Sequence, residues 1–355
     1  MTLTYARLQY FRLYTDGSFE FDPTVNIIVG PNASGKTTIL EAILVGLGGK
    51  SFKASDKEVI HTENSWARVD IGTTEETRVV KIKTENQKTT KTFEIDGKVY
   101  KRLPQERTLP TVLFEPNNLL LFHGSPERRR TFLDDLIEQI TPGYTTTLHH
   151  YKRVLAQRNA LLKQATQSNN DQLFVWNLRL SELGGKIVVQ RRKLLEKLNE
   201  HISNLYSEIA GVKTSIEFLY QTPISHQNYE TGLLEALERH FNRDSTLGFT
   251  SYGPHREDFK AIIGGKDASE VASRGEVRTM VLVLKMLEAQ FVESARHKRP
   301  LLLLDDVFSE LDGRRRQALV SFLKPYQSLI TTTDADVVID HFTTKAKVLA
   351  LDSKN

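Results

Sequence analysis

The sequence predicts an α/β protein whose alternating core is split by an inserted helical arm. Three observations carry that prediction. An apolar run, Val25–Val29, passes through a glycine-bearing segment at residues 30–35 into a helical pattern, the order of a buried strand, a loop and a helix. Alternating strand and helix patterns return after Gly253. Between them, apolar residues recur at three- and four-residue steps over a long stretch. A chain of 355 residues has room for one large domain and an insertion. We expect residues 1–124 and 250–355 to form the discontinuous core domain and residues 125–249 the helical lobe, with a short coiled-coil-like hairpin.

In chain order, residues 3–10 and 18–21 read as short strands around Asp16-Gly17, and residues 38–47 as a helix stopped by Gly48-Gly49. Residues 67–71, 79–83 and 93–100 read as antiparallel strands, the last folded at the hairpin dipeptide Asp96-Gly97. Ser125-Pro126-Glu127 starts a helix, with a capping hydroxyl, proline at the first position and an acid in the first turn. It should stop near Thr141-Pro142-Gly143. A second helix runs from about Tyr144 to Gln167, and a third from after Asp171 to Gly211, about 60 Å long at about 1.5 Å per residue if Gly184-Gly185 does not kink it. Residues 276–296 and 314–323 read as helices, and residues 301–304, 328–332 and 348–351 as strands.

Composition removes several classes. Hydrophobic residues make up 39% and charged residues 26%, which excludes a disordered chain. No apolar stretch approaches the roughly 18 residues that span a bilayer. The first ten residues carry no secretory pattern, and the absence of cysteine removes disulfides, zinc ribbons, iron–sulfur clusters and thiol catalysis. Cytoplasm, without a membrane partner, is the expected compartment. Net charge is only +4, so overall basicity argues weakly for a polyanionic partner. Lys and Arg do bunch at residues 128–130, 191–193, 296–299 and 314–316, where each bunch taken singly reads as a solvated helix face.

The chemistry begins at Gly30-Pro31-Asn32-Ala33-Ser34-Gly35-Lys36-Thr37, which fits G-x-x-x-x-G-K-[ST] between a buried strand and a helix. In such a P-loop, backbone N–H groups and the helix N-terminus face phosphate oxygens. Gly30, Asn32, Ala33, Ser34, Gly35, Lys36, Thr37 and Thr38 are therefore nucleotide-binding candidates. Lys36 would reach the β- and γ-phosphates, and Thr37 would offer its hydroxyl to Mg²⁺. The apolar run 301–304 ends in Asp305-Asp306. Asp305 would hold Mg²⁺ through a water, and Asp306 would orient or deprotonate the attacking water. ATP and Mg²⁺ are the implied cofactors, and Lys36, Asp305 and Asp306 the catalytic set.

Between these motifs, Ser273-Arg274-Gly275-Glu276 opens a long helix; alone it is a good N-cap and nothing more. The order P-loop, S-x-G-E helix, strand with Asp-Asp, then Ser309-Glu310-Leu311-Asp312 resembles the ABC-type ATPase head, a P-loop core with an antiparallel β-subdomain. In that likeness Ser273, Arg274, Gly275 and Glu276 match the signature motif, acting on the nucleotide of an opposing subunit, and residues Ser309, Glu310, Leu311 and Asp312 match the D-loop. Thr331-Thr332-Thr333-Asp334, after the last core strand, stands at the switch position, with Thr332 and Thr333 as its candidates.

The likeness then narrows. Leu8-Gln9-Tyr10-Phe11-Arg12, G-P-N-A-S-G-K-T-T-I-L-E-A-I from Gly30, S-P-E-R-R-R-T-F-L-D from Ser125, Y-G-P-H-R-E-D-F from Tyr252 and L-L-L-D-D-V-F-S-E-L-D from Leu302 resemble the bacterial RecF family across nearly the whole chain. The resemblance adds Arg12 to the nucleotide-binding set. It implies a weak, DNA-stimulated ATPase that dimerises on ATP, binds duplex and gapped DNA and single-strand/duplex junctions at the nucleoid, works with RecR and RecO, and helps RecA load at gaps. Arg128, Arg129, Arg130, Arg191, Arg192 and Lys193 become candidate DNA contacts. The sequence departs from the pattern at Asn117-Asn118, where the family often has an acidic pair, and at Arg274, where transporter signatures carry a small residue. Two other readings share the P-loop and signature: the ATPase subunit of a membrane transporter, and a structural SMC-like head. His149-His150 lacks a third ligand and reads as an exposed helical pair.

Overall fold

The structure, a computed structural model, describes residues 1–163, 170–225, 228–334, 342 and 346–352. In chain order its strands and helices are β1 Leu3–Phe11, β2 Tyr14–Glu20, β3 Val25–Val29, α1 Lys36–Gly48, β4 Trp66–Thr73, β5 Thr77–Glu85, β6 Lys88–Ile95, β7 Lys98–Tyr100 and β8 Thr111–Phe114, then α2 Pro126–Ile140, α3 Tyr144–Lys163 and α4 Asn170–Ala210. There follow β9 Ile216–Gln221, α5 Tyr229–Arg239, α6 Phe241–Leu247, β10 Asp258–Ile263, β11 Lys266–Asp267, α7 Ala268–Val271, α8 Arg274–Arg296, β12 Leu301–Asp305, α9 Gly313–Leu323, β13 Ser328–Thr332 and β14 Lys347–Ala350.

Two compact units result: residues 1–118 with 281–355, and residues 119–280. In the first unit, β14-β3-β13-β12-β8 form a sheet whose pairings are all parallel. Its central strands are covered on both faces, as parallel sheets are. Leu301–Asp305 and Ser328–Thr332 are buried at every position, β12 as a continuous apolar run up to its carboxylate and β13 with its polar side chains hydrogen-bonded. A second, antiparallel sheet runs β2-β1-β4-β5-β6-β7. Helix α1 is buried at ten positions, and one hydrophobic core joins it to strands of both sheets, from Leu8 and Ile71 to Leu303 and Leu329. The β6–β7 turn is the expected Asp96-Gly97, with φ of 45° and 80°. Strand β6 starts five residues before its expected position, because the preceding turn is built from Asn86 and Gln87 at positive φ without a glycine to announce it.

The second unit corrects the expected boundaries. Residues 250–280 fall with it rather than with the core, because β10 pairs antiparallel with β9, from Asp258 opposite Gln221 to Ile263 opposite Ile216. Helix α4 pairs with α3 as the expected hairpin would, but it does not project from the lobe on its own. It packs on α2, α3, α5 and β9, and burial of Leu180, Ile187, Leu194, Leu198 and Ile202 marks its inward stripe. The helix runs unbroken through Gly184-Gly185; a Cβ on Gly185 would lie 2.4 Å from Glu230 Cγ, so the pair lets α5 come close. Helix α3 is described to Lys163, and its expected end near Gln167 lies outside the described residues.

The interior of this unit is charged. Arg158, with no exposure, donates to Asn177, Asp244, Thr250 and the Leu237 carbonyl at 2.7, 2.8, 2.8 and 3.2 Å. Buried Glu257 accepts from Tyr220, Thr222 and Tyr229 at 2.6–2.7 Å.

Candidate nucleotide site

The site lies at the carboxyl ends of the parallel strands, where an open α/β sheet exposes the loops that hold ligands. Strand β3 ends at Val29 and α1 starts at Lys36; Ala33 (φ 64°) and Gly35 (φ 94°) turn the chain between them. Gly35 is required twice over. Its backbone is left-handed, and a Cβ there would lie 2.7 Å from the Tyr14 hydroxyl. Tyr14 is itself so buried that its pKa is pushed up to about 12.

Lys36 folds back over the loop, donating to the carbonyls of Gly30 and Pro31 at 2.6 and 2.8 Å. Burial pulls its pKa down, with Asp306 and Asp305 pulling it back up. Asp305 ends β12 opposite Thr331 of β13. Its Oδ1 accepts from Thr37 Oγ1 at 2.6 Å and Thr331 Oγ1 at 3.0 Å, and its Oδ2 pairs with Lys53 at 3.2 Å. Thus the P-loop threonine and the strand carboxylate, 268 residues apart, are in direct contact. Asp306 sits at φ 53°, its N–H donating to Thr331 Oγ1 at 3.0 Å. Burial raises its pKa; Lys36 opposes the rise and Asp305 adds to it. Among the described residues, Asp306 Oδ1 and Ser34 Oγ are buried without a hydrogen-bond partner. A cleft of about 390 Å³ is lined by residues 32–38, Lys53, Glu115, Asn117, Asp305 and Asp306.

These features fit a magnesium-bound triphosphate. A lysine lies over the phosphate loop, a hydroxyl and a carboxylate already converge as hard oxygen donors, and Asp306 Oδ1 and Ser34 Oγ are buried without partners among the described residues.

Some expected residues stand elsewhere. Arg12 does not line the cleft; its guanidinium takes both oxygens of Glu41 on α1, at 3.0 and 3.1 Å, because that carboxylate is buried and needs a counter-ion. Leu13 lines the cleft instead. Within the switch segment the threonines part company. Thr332 turns its hydroxyl to Asp334, Thr333 is exposed, and Thr331 is the threonine on the carboxylates. Side chains alternate along a strand, so neighbouring threonines cannot all face one site. The sequence does not single out Lys53, holds Glu115 without a role beside Asn117-Asn118, and offers Thr331 only as part of the switch segment. Lys53 carries no motif, but Glu115 was findable as an acid directly after a strand beside β12. Burial raises its pKa, opposed by Lys285 and Lys53.

Ser309 donates to the Asp306 carbonyl at 2.7 Å, Glu310 closes a short 3₁₀ turn, Leu311 is buried, and Asp312 caps α9 through the Arg315 N–H at 3.0 Å. In the second unit, Ser273 and Glu276 form a reciprocal capping box at the start of α8, with the Ser273 N–H and hydroxyl 2.8 and 2.7 Å from Glu276 Oε2. Arg274 is exposed, and the Gly275 carbonyl accepts from Thr279.

Most of the candidate DNA contacts in this unit are turned inward. Arg129 clamps Asp258 at 2.7–3.1 Å, Arg130 donates to the Glu257 carbonyl, Arg191 clamps Asp134 at 2.9 Å, and Arg192 lies over Tyr220 and Tyr229. Arg128 and Lys193 are exposed. The S-P-E-R-R-R and G-P-H-R-E-D segments meet here through the Arg129–Asp258 ion pair and the contact of Arg130 with the Glu257 carbonyl.

Fold and site together define an ABC-type ATPase head. A family model described as an AAA domain matches residues 6–217. The DNA replication and repair protein RecF of Lachnoclostridium phytofermentans is 33% identical over 96% of this chain and 95% of its own length. That of Clostridium acetobutylicum is 36% identical over 92% and 91%. The solved structure of the recombination mediator protein RecF-ATP, in the RecFOR pathway, superposes with a TM-score of 0.84 at 30% identity, covering 94% of this chain and 92% of that one. An Smc head bound to the C-winged helix domain of ScpA shares the fold, at a TM-score of 0.53 and 15% identity. The chain belongs to the RecF family of DNA replication and repair proteins.

Proposed function

We propose that this chain is an ATP-gated DNA-binding protein of recombinational repair. It dimerises on ATP, binds duplex or gapped DNA, and with RecR and RecO helps RecA load at single-strand gaps, while hydrolysing ATP slowly under DNA stimulation. The observation that carries the reading is the meeting of Thr37 with Asp305 beside a buried Asp306 oxygen that has no partner among the described residues. Relatives named for repair, 33–36% identical over more than nine-tenths of the chain, favour it over a transporter subunit or a structural head.

Lys36 exchanges the loop carbonyls for the β- and γ-phosphate oxygens, and loop N–H groups take the rest. Thr37 and Asp305 would hold Mg²⁺, which offsets phosphate charge when bound. Asp306 is poised to take a proton from water at its free oxygen, since its raised pKa makes it a stronger base than an ordinary surface carboxylate. Its short side chain suits slow turnover. Ser273, capping its own helix in one chain, presents that N-terminus to the γ-phosphate held by a second. ATP then joins two subunits only through its greater affinity for the closed pair.

Light scattering at micromolar protein, with ATP and Mg²⁺, ADP, or no nucleotide, tests this alongside binding of gapped, duplex and single-stranded DNA at fixed salt. The expected outcome is dimerisation and tighter gapped-DNA binding with ATP only, both lost in Ser273→Arg while that variant still binds nucleotide. A wild-type protein that stays monomeric at saturating ATP refutes the composite site.

A further inference from the structure

Lys53 is placed where nothing in the P-loop pattern asks for a second lysine. Its ammonium is 3.2 Å from Asp305 Oδ2, and it lines the same cleft as Lys36 and Thr37. Its backbone is anchored. Ser51 Oγ accepts from the N–H groups of Lys53 and Ala54 at 3.0 and 2.9 Å and donates to Glu41, which Arg12 clamps from the other side. That relay ties residue 53 to α1, the helix that begins with Lys36, while its four-carbon stem stays free to turn. The Lys53 side chain retains 38% exposure, against 7% for Asp305.

A carboxylate this buried needs a counter-ion, and Lys53 provides one at the oxygen not used by Thr37 and Thr331. The oxygens that Lys53 neutralises are those assigned to the divalent cation, and two cations cannot share one small carboxylate without strong repulsion. We propose that Lys53 is a second lysine of the phosphate site, serving as the counter-ion of Asp305 before the divalent cation binds and turning to the terminal phosphate of the triphosphate afterwards. The proposal rests on the assignment of Asp305 to the metal. It makes metal affinity nucleotide-dependent: without nucleotide the metal must displace Lys53, and with a triphosphate the displaced ammonium has a new anion to join. By reciprocity, Lys53 also sharpens the preference for triphosphate over diphosphate.

The test is Mn²⁺ titration of the full chain followed by electron paramagnetic resonance, with no nucleotide, a non-hydrolysable triphosphate or a diphosphate. Lys53→Met and Lys53→Gln are compared with Asp305→Asn, and circular dichroism confirms folding. Both neutral variants should bind Mn²⁺ roughly tenfold more tightly than wild type without nucleotide, since a competing charge is gone, and should prefer triphosphate roughly tenfold less. Asp305→Asn should lose Mn²⁺ binding. If it does while the Lys53 variants match wild type, the lysine's role is overturned and the metal assignment stands. If Asp305→Asn binds Mn²⁺ normally, the metal assignment falls and takes this inference with it.

Discussion

The nucleotide site and the interior of the second unit both bury charge, and they treat it in opposite ways. Arg158 is fully buried with donors on four acceptors, and Arg191 holds Asp134 at 2.9 Å with both oxygens engaged. Glu257 has both oxygens filled by hydroxyls. At the P-loop, by contrast, Lys36 rests on two carbonyls that offer it no charge, while Asp306 Oδ1 and Ser34 Oγ go unanswered among the described residues. Buried polar groups in folded proteins are nearly always satisfied, so unanswered ones call for an explanation. In the second unit most buried charge acts as cross-linking. Arg192 is the exception: its Nε and Nη2 lack hydrogen-bond partners among the described residues, and its guanidinium lies over Tyr220 and Tyr229. At the P-loop charge waits for a ligand.

The comparison breaks most visibly at Arg158. Arg158→Met leaves Asp244 charged and unpaired in the interior, and should cost about 3–5 kcal/mol of stability, read by urea unfolding. Nucleotide affinity of the folded protein should be unchanged. A loss under 1 kcal/mol would mean the buried pair is not a cross-link at all.

Next in size is the acid sensitivity of the same unit. His255 accepts from the Tyr151 hydroxyl at 2.7 Å on Nδ1 and donates from Nε2 to the Thr250 carbonyl at 3.0 Å, and burial lowers its pKa from 6.5 to about 4. The neutral ring therefore contributes stability that is complete above pH 6.5 and lost as pH falls toward about 4, on the order of 3 kcal/mol in all. His255→Gln should flatten that part of the stability–pH curve; an unaltered slope assigns the acid sensitivity to other groups.

The nucleotide site should respond in the opposite currency. Lys36→Met removes a charge-assisted contact of roughly 1.5–3 kcal/mol, so ATP affinity should fall about ten- to hundredfold by fluorescent-nucleotide titration. Unfolding should come no earlier than in wild type, because burial already disfavours this ammonium.

The smallest effect sharpens the contrast furthest. The raised pKa of Asp306 means that ionisation costs the fold stability: its favourable share is present below the ordinary carboxylate range and lost as pH rises through the folded value. Asp306→Asn should therefore melt slightly higher than wild type at neutral pH, with the gap closing on acidification. The same variant should bind ATP and fail to hydrolyse it in a single turnover. Equal melting curves at both pH values would mean Asp306 is not strained by its surroundings.

The parts of this molecule legible in its sequence are those governed by local rules. The P-loop is eight contiguous residues whose glycine and lysine needs are set by backbone geometry, and β12 declares itself by the unbroken apolar run Leu301–Leu304. The α8 capping box was readable for the same reason. Strands β9 and β10 were missed because their partners lie 37 residues away in sequence, from Gln221 to Asp258, and short alternating segments cannot announce a distant partner. The start of β6 was missed because its turn uses Asn86 and Gln87.

By itself, the sequence determined the phosphate loop, the Asp305-Asp306 pair, the family and the split of an α/β core by helices. Tertiary structure decided which neighbours those residues meet. It chose Thr331 over Thr332 through the alternation of one strand, and it sent Arg12 to Glu41 and Lys53 to Asp305. It also turned Arg129 and Arg191 from expected surface contacts into internal clamps. The physical reason is that a motif fixes backbone geometry over a few residues, whereas a buried charge is settled by whichever opposite charge the whole fold brings within about 3 Å, and that pairing is written in no single stretch of chain.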